Sequence, residues 1–258
     1  MKNRIWFLLL LCLAGACSHA PRKELIVGME LASPPFEMAD TQGNPAGISV
    51  DLANALGEFL GREVVIENMP FDGLIPALKT GKIDLVISSM TATPERAGSI
   101  DFSDPYLKTG LCLLVGAKSN IRGIEDADQP GKAICVKKGT TGEVYAQAHI
   151  ENAQKLVFDR EAACVLEVIQ GKSDAFIYDQ MSVYKNWQAN PDTTRAILKP
   201  FHEESWAIGI RKGNPELRAR VNEFLAHFRE KNGFEELGDR YLKEQKEAFK
   251  KLGYPFFF

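Results

Sequence analysis

The chain has 258 residues, of which 45% are hydrophobic, and a formal net charge of −3. That length suits one or two globular domains, and the acidic balance argues against a nucleic-acid partner, since no basic stripe or RNA-binding motif offsets it. Beyond the N-terminal segment, no apolar run approaches the roughly 20 residues of a membrane-spanning helix.

The N-terminus reads as an export signal over residues 1–16. Lys2 and Arg4 supply the positive region, and Ile5–Leu13 is an apolar run too short to span a bilayer comfortably. Two cleavage readings stand. Ala14-Gly15-Ala16 is an A-x-A site that would release a soluble protein. Ala14-Gly15-Ala16-Cys17 also resembles a lipoprotein box, and lipidation of Cys17 is the preferred reading, although Ala14 is smaller than the residue usual there. Either way the mature chain is exported, to the periplasm or the cell envelope. Without Lys2 and Arg4 it keeps 29 basic against 34 acidic side chains, a net charge of about −5. Cys112, Cys135 and Cys164 then remain, an odd number in apolar settings. They read as small buried hydrophobes, with one disulfide left open. Their spacing fits no zinc pattern, and neither a metal nor a cofactor is expected.

Leu25–Met29 is the first expected strand, and it leads into Glu30-Leu31-Ala32-Ser33-Pro34-Pro35-Phe36, an extended turn by virtue of its Pro-Pro pair. Gly47–Leu60 places Leu52, Leu56, Phe59 and Leu60 at helical spacing. Val64–Glu67 reads as a strand, and Phe71–Leu78 as a helix. Leu85–Ile87 is a buried strand that turns polar at Ser88 and Ser89, with another hydroxyl at Thr91. Thr93-Pro94 then starts a helix, because Thr caps free N–H groups and Pro suits the first helical position. Arg96 follows in the first turn, where a cation opposes the helix dipole. An anion held between Arg96 and the hydroxyls would account for it. An ordinary surface ion pair with Asp101 or Asp104 is the alternative. The β-α-β-α-β order argues for a parallel α/β sheet, whose ligands bind beyond the carboxyl ends of the strands. Glu30, Phe71 and Ser88–Thr91 all follow strands.

A second alternating unit comes next. Leu111–Val115 is a strand, Lys118–Gly131 a polar stretch, and Ala133–Val136 a strand ending in Lys137-Lys138-Gly139-Thr140-Thr141-Gly142. A glycine-flanked turn that opens a helix, here Gly142–His149, offers free N–H groups to an anion. Leu156–Phe158, Glu161–Gln170 and Ala175–Tyr178 repeat strand, helix, strand. Asp179 is then either an N-cap for Met181–Asn190 or a ligand-facing carboxylate. Pro200–Ser205 reads as irregular, Trp206–Ile210 as a strand, and Glu216–Lys231 and Phe234–Leu242 as helices that pack on the first unit. The aromatic tail Tyr254–Phe258 has two open readings, docking on the first lobe or contact with a partner.

The pattern Ser88-Ser89-x-Thr91-x-Thr93-x-x-Arg96, followed by Ile100-Asp101-Phe102-Ser103-Asp104-Pro105-Tyr106, resembles the core motif of the third family of bacterial extracellular solute-binding proteins. These are the amino-acid-binding components of ABC importers. The resemblance implies a two-lobe periplasmic-binding-protein fold of type II. Lobe 1 would be residues 24–110 and 206–258, lobe 2 residues 111–205, and Leu111–Val115 with Phe201–Trp206 the hinge around an interlobe cleft. It implies that Arg96 grips the ligand α-carboxylate, with Ser88, Ser89, Thr91 and, from the opposite lobe, Thr141. Asp179 would take the ammonium group, and Phe71 would pack over the ligand. The Glu30 position is commonly acidic or polar, and Lys137 sits where a ligand-facing residue can occur. Ser33 departs from the usual Tyr or Phe, leaving a larger or more polar pocket. The plainer readings are a solvated loop carboxylate for Glu30 and a core aromatic for Phe71.

The expected function is capture of a polar or basic L-amino acid by lobe closure and its delivery, by a monomer, to a permease in the inner membrane, without catalysis. A periplasmic dehydratase of cyclic acids, like cyclohexadienyl dehydratase, is the enzyme alternative, with Glu30 or Lys137 moving the proton. A sensory domain and an adhesive surface lipoprotein are further alternatives with less support.

Overall fold

The computed structural model describes residues 24–254. The expected leader at 1–16, Cys17 and the tail beyond Tyr254 lie outside the described residues. The fold is a two-lobe α/β architecture built on two five-stranded sheets. The first sheet has the order Glu63–Asn68, Glu24–Met29, Leu85–Val86, Gly209–Ile210, Asp101–Phe102. Its first three strands are parallel, and the returning strand Gly209–Ile210 runs antiparallel to both neighbours.

Alternation along the central strand explains the layers. Leu25, Val27 and Met29 are buried on one face, with Leu52 and Leu56 of helix Ile48–Leu60 in the same core. Ile26 packs on the other, against the cluster of Leu74 and Leu78 from helix Phe71–Thr80. Period-2 side chains thus serve two helical layers.

The second sheet has the order Gln154–Phe158, Ala133–Lys137, Ala175–Asp179, Leu107–Gly116, Thr194–Trp206. Leu111, Leu113 and Val115 share one core with Ala146 of helix Thr141–His149. Cys112 and Leu114 turn to the other face, where Cys164, Val165 and Val168 of helix Glu161–Ile169 and Met181 of helix Gln180–Ala189 lie. Cys112, Cys135 and Cys164 are buried free thiols.

Four local readings change. The crossing strand begins at Leu107, not Leu111. The segment expected to be irregular, Pro200–Ser205, lies within strand Thr194–Trp206, whose register shifts between Ile197 and His202. Pro200 falls inside that shift, and it lacks the N–H a regular ladder would need. The expected strand Trp206–Ile210 is broken, so Trp206 ends a strand of the second sheet while Gly209–Ile210 belongs to the first. The turn after Glu30 is a small antiparallel sheet of Ala32–Ser33, Glu37–Ala39 and Pro45–Ala46, with a cis Pro34-Pro35 bond.

A final helix, Lys243–Leu252, went unread because its sequence is mostly charged. One side chain anchors it: Phe249 is fully buried, with its ring centroid 5.2 Å from that of Tyr184 on helix Gln180–Ala189. The C-terminal segment therefore reaches the second lobe as well as the first. Two antiparallel stretches, Leu107–Leu111 and His202–Trp206, pair side by side where the chain passes between the sheets.

Candidate ligand-binding site

A cavity lies between the two sheets, with residues of both lobes on its wall. Eight of the ten residues expected from sequence line it: Ser33, Phe71, Ser88, Ser89, Thr91 and Arg96 from the first lobe, and Thr141 and Asp179 from the second. Glu30 and Lys137 are placed differently. They are absent from the wall and form a largely buried ion pair with each other across the lobes.

Arg96 lies in the short helix that Thr93-Pro94 starts. Thr93 caps the short helix Pro94–Ala97, its Oγ1 accepting from Arg96 N at 3.1 Å. The guanidinium turns inward to backbone oxygens, donating from Nη1 to Thr91 O at 2.8 Å and from Nη2 to Gly139 O at 3.0 Å. Gly139 belongs to the opposite lobe. The Arg96 Cζ stands 5.5 Å from the centroid of the Phe71 ring, within reach of a cation–π attraction. Burial lowers the guanidinium pKa, and the charges of Glu204 and Glu95 oppose that shift. Its remaining N–H donors suit a planar carboxylate.

The serines after the strand hold the wall in place. Ser88 Oγ accepts from Glu30 N at 3.0 Å. Ser89 adopts a positive φ of 48°, uncommon for a residue with a side chain. Its Oγ is buried without a hydrogen-bond partner. Thr91 Oγ1 donates to Glu204 Oε2 at 3.1 Å, while Glu204 Oε1 is likewise buried and unpartnered. Such orphan atoms are rare in native interiors, and both residues line the cavity. Burial also raises the Glu204 pKa, opposed by hydrogen bonds from Thr141 and Thr91.

From the second lobe, Thr140 caps helix Thr141–His149. Gly142 is required there, because a Cβ would lie 2.9 Å from Ile177 O. Asp179 is an N-cap, one of the two readings its sequence left open, and it also lines the cavity. Its Oδ1 accepts from Met181 N at 3.1 Å and Ser182 N at 3.0 Å. Burial raises its pKa, and the capping donors work against the rise.

Sequence reasoning missed Phe36, Glu37, Glu204 and Trp206, all on the cavity wall. Phe36 and Trp206 meet edge to face with centroids 4.8 Å apart. Glu204 lies in Pro200–Ser205, whose sequence reads as irregular but which is part of strand Thr194–Trp206. Glu37 is only 1% exposed, and Ser49 Oγ donates to its Oε2 at 2.6 Å. Burial pushes its pKa up to about 8, the hydrogen bond from Ser49 opposing the rise and the charges of Asp179 and Glu30 adding to it. No local sequence signal marks it, because its pairing with Ser33 is set by the register of the small sheet. Among the described residues, no group of three or more His, Cys, Asp and Glu is arranged to hold a metal ion.

Comparison with known proteins adds to this geometry. The profile of bacterial extracellular solute-binding proteins, family 3, matches residues 25–244. An L-arginine-binding protein of Pseudomonas aeruginosa is 30% identical over 234 residues, covering 87% of this chain and 90% of the relative. Among solved structures, an ancestral arginine-binding protein bound to arginine is 33% identical with a TM-score of 0.80, covering 86% of this chain and 98% of that one. An ancestral amino-acid-binding protein, a precursor of cyclohexadienyl dehydratase, is 35% identical with a TM-score of 0.79, covering 85% and 96%.

Proposed function

Because this chain belongs to family 3 of the bacterial extracellular solute-binding proteins, we propose that it is the substrate-binding component of an amino-acid ABC importer. It captures a polar or basic L-amino acid and hands it to an inner-membrane permease, acting as a monomer in the periplasm or, through Cys17, at the cell envelope.

The observation that carries this reading is a cation and an anion on opposite lobes facing one cavity, Arg96 from the first and Asp179 from the second. An α-amino acid presents the complementary pair. Arg96 takes the carboxylate with help from Ser89 and Thr91, and Asp179 takes the ammonium group. The Phe71 ring covers the aliphatic part. Since the contacts come from both lobes, ligand favours the closed arrangement and shifts the equilibrium toward it. Sheet membership supports lobe boundaries near Tyr106 and Trp206, within a few residues of 24–110 with 206–258 against 111–205.

The tilt toward a basic or polar ligand rests on the carboxyl groups of Glu37 and Asp179 at the cavity. The arginine-binding relatives are consistent with it. The dehydratase alternative draws on one structural relative, itself described as an amino-acid-binding protein. Its proton-transfer candidates, Glu30 and Lys137, are engaged with each other, which favours a carrier over an enzyme.

A thermal-shift screen of refolded, ligand-free protein against all amino acids and several cyclic acids tests the reading. A ligand that binds only the native state raises the melting temperature. The expected outcome is a shift with a basic or polar amino acid, lost in Arg96→Ala and Asp179→Ala proteins that still fold. A shift with a cyclic acid alone, accompanied by turnover, would move the enzyme reading to the front.

A further inference from the structure

A second groove adjoins the cavity, and the amino-acid reading leaves it unused. It runs along the paired hinge stretches, past Lys108 and Thr109 on one and His202 and Glu203 on the other. Thr91, Thr141 and Glu204 line both the groove and the cavity. The two sides of the groove belong to different lobes. Residues 92–95 supply one, and helix Thr141–His149 supplies the other. The second side is rich in rings: Tyr145 has its centroid 4.6 Å from that of His149 and 5.7 Å from that of His202. Beside them Val144 is 46% exposed, a large aliphatic side chain left in contact with water.

The described chain arrives at this groove. Helix Lys243–Leu252 stops at Gly253, a left-handed C-cap with φ 77°. Pro255 cannot resume the helix, and it biases Tyr254 toward an extended backbone. Tyr254 is itself part of the groove lining, held to the helix by its N–H, which donates to Phe249 O at 3.0 Å. The residues that follow are Pro255-Phe256-Phe257-Phe258. Four extended residues reach roughly 13 Å. Three successive phenylalanines are costly to leave in water, and aromatic rings pack favourably edge to face or offset against other rings. The segment also lies beyond residues 25–244, which match the family profile, so the shared ligand-binding fold does not account for it.

We propose that residues 255–258 seat in this groove as a strap across the hinge, with their rings against the Val144 and Tyr145 side and their other edge against residues 92–95. A segment docked on one lobe alone leaves the lobe equilibrium untouched. One that touches both loses contacts when the two sides part, so it favours the closed arrangement even without ligand. The strap therefore acts on closure from outside the ligand cavity, and it does so whatever ligand the cavity takes.

Photo-crosslinking with p-benzoyl-phenylalanine in place of Phe257 tests the seat, and small-angle scattering of ligand-free protein tests the strap. Irradiation is expected to join position 257 to peptides containing residues 92–95 or 144–149 within one chain, and Val144→Glu should abolish that product. Val144 is half-exposed, so the new carboxylate is tolerated by the fold while it repels the rings. A chain stopped after Tyr254 and full-length Val144→Glu should both show a larger radius of gyration than wild type. The full-length variant separates lobe opening from the loss of four residues. Crosslinks confined to the first-lobe helices, crosslinks between two copies that rise with concentration, or no crosslink overturn the inference. So does groove crosslinking with an unchanged radius of gyration in both variants. No readout uses an amino acid, so these failures leave the carrier reading intact, and a failure to bind amino acids leaves the strap intact.

Discussion

At the scale of single residues, the site depends on side chains whose ordinary behaviour is altered by burial. Arg96 spends two donors on backbone oxygens of both lobes. Only a forked guanidinium can do that and still meet a carboxylate. Arg96→Lys, expected to fold, should therefore weaken amino-acid binding by about 100-fold, equivalent to ~2.7 kcal/mol, as read by calorimetry. Stability should also depend on pH. The Glu37 pKa is raised to about 8 and that of Glu161 to about 7, each chiefly by burial. Between the ordinary carboxylate range and these values the native state holds protons that the unfolded chain has lost. Stability from this source is present in full at acid pH and falls as pH rises toward 8, by at most about 1.4 kcal/mol per pH unit and per group. Melting of ligand-free protein from pH 5 to 8.5 checks this, and Glu37→Gln should flatten the decline. A variant profile parallel to wild type would show that Glu37 titrates normally.

At the scale of elements, helix starts bring the second lobe's polar groups to the cavity. Asp179 ends strand Ala175–Asp179 and caps helix Gln180–Ala189, so the side chain proposed to hold the ligand ammonium group also has a structural task. The two roles can be separated because Asn caps about as well as Asp, whereas Ala does not. Asp179→Asn should keep its unfolding midpoint close to wild type yet bind amino acids at least about tenfold more weakly. Asp179→Ala should lose ~1 kcal/mol of stability in addition. Equal destabilisation in chemical denaturation would count against the capping account. Strands and helices with clear periodicity were legible within a few residues. The small sheet around Pro34-Pro35 and helix Lys243–Leu252 were not, because neither carries a repeating apolar face. One is set by register and the other by the single anchor Phe249.

At the scale of the whole molecule, one turn of the second lobe clasps the first. Lys137 pairs with Glu30, Lys138 Nζ lies 3.0 Å from Asp72 Oδ2, and Gly139 O accepts from Arg96. The Lys138 pair is exposed and contributes little. The Lys137 pair is largely buried, so removing one partner leaves an uncompensated charge. Lys137→Met should favour the open arrangement, increase the radius of gyration in small-angle scattering, and weaken ligand binding by about tenfold through the smaller closed population. Unchanged scattering would mean that the pair adds nothing to closure.

The sequence by itself determined the alternating α/β order, the helix start around Arg96, the two possible roles of Asp179 and the family to which the Ser88–Tyr106 motif points. The family is a resemblance carried by that motif; the rest follow from local spacing, since periodicity and capping are written within a few consecutive residues. Only the tertiary structure decided that Glu30 and Lys137, 107 residues apart, satisfy each other, and that Glu204 meets Thr91 across 113 residues. It alone brought Glu37 to the cavity wall. The physical reason is that a charged side chain's role depends on which groups share its burial, and burial is created by strand register and lobe approach rather than by neighbours in the chain.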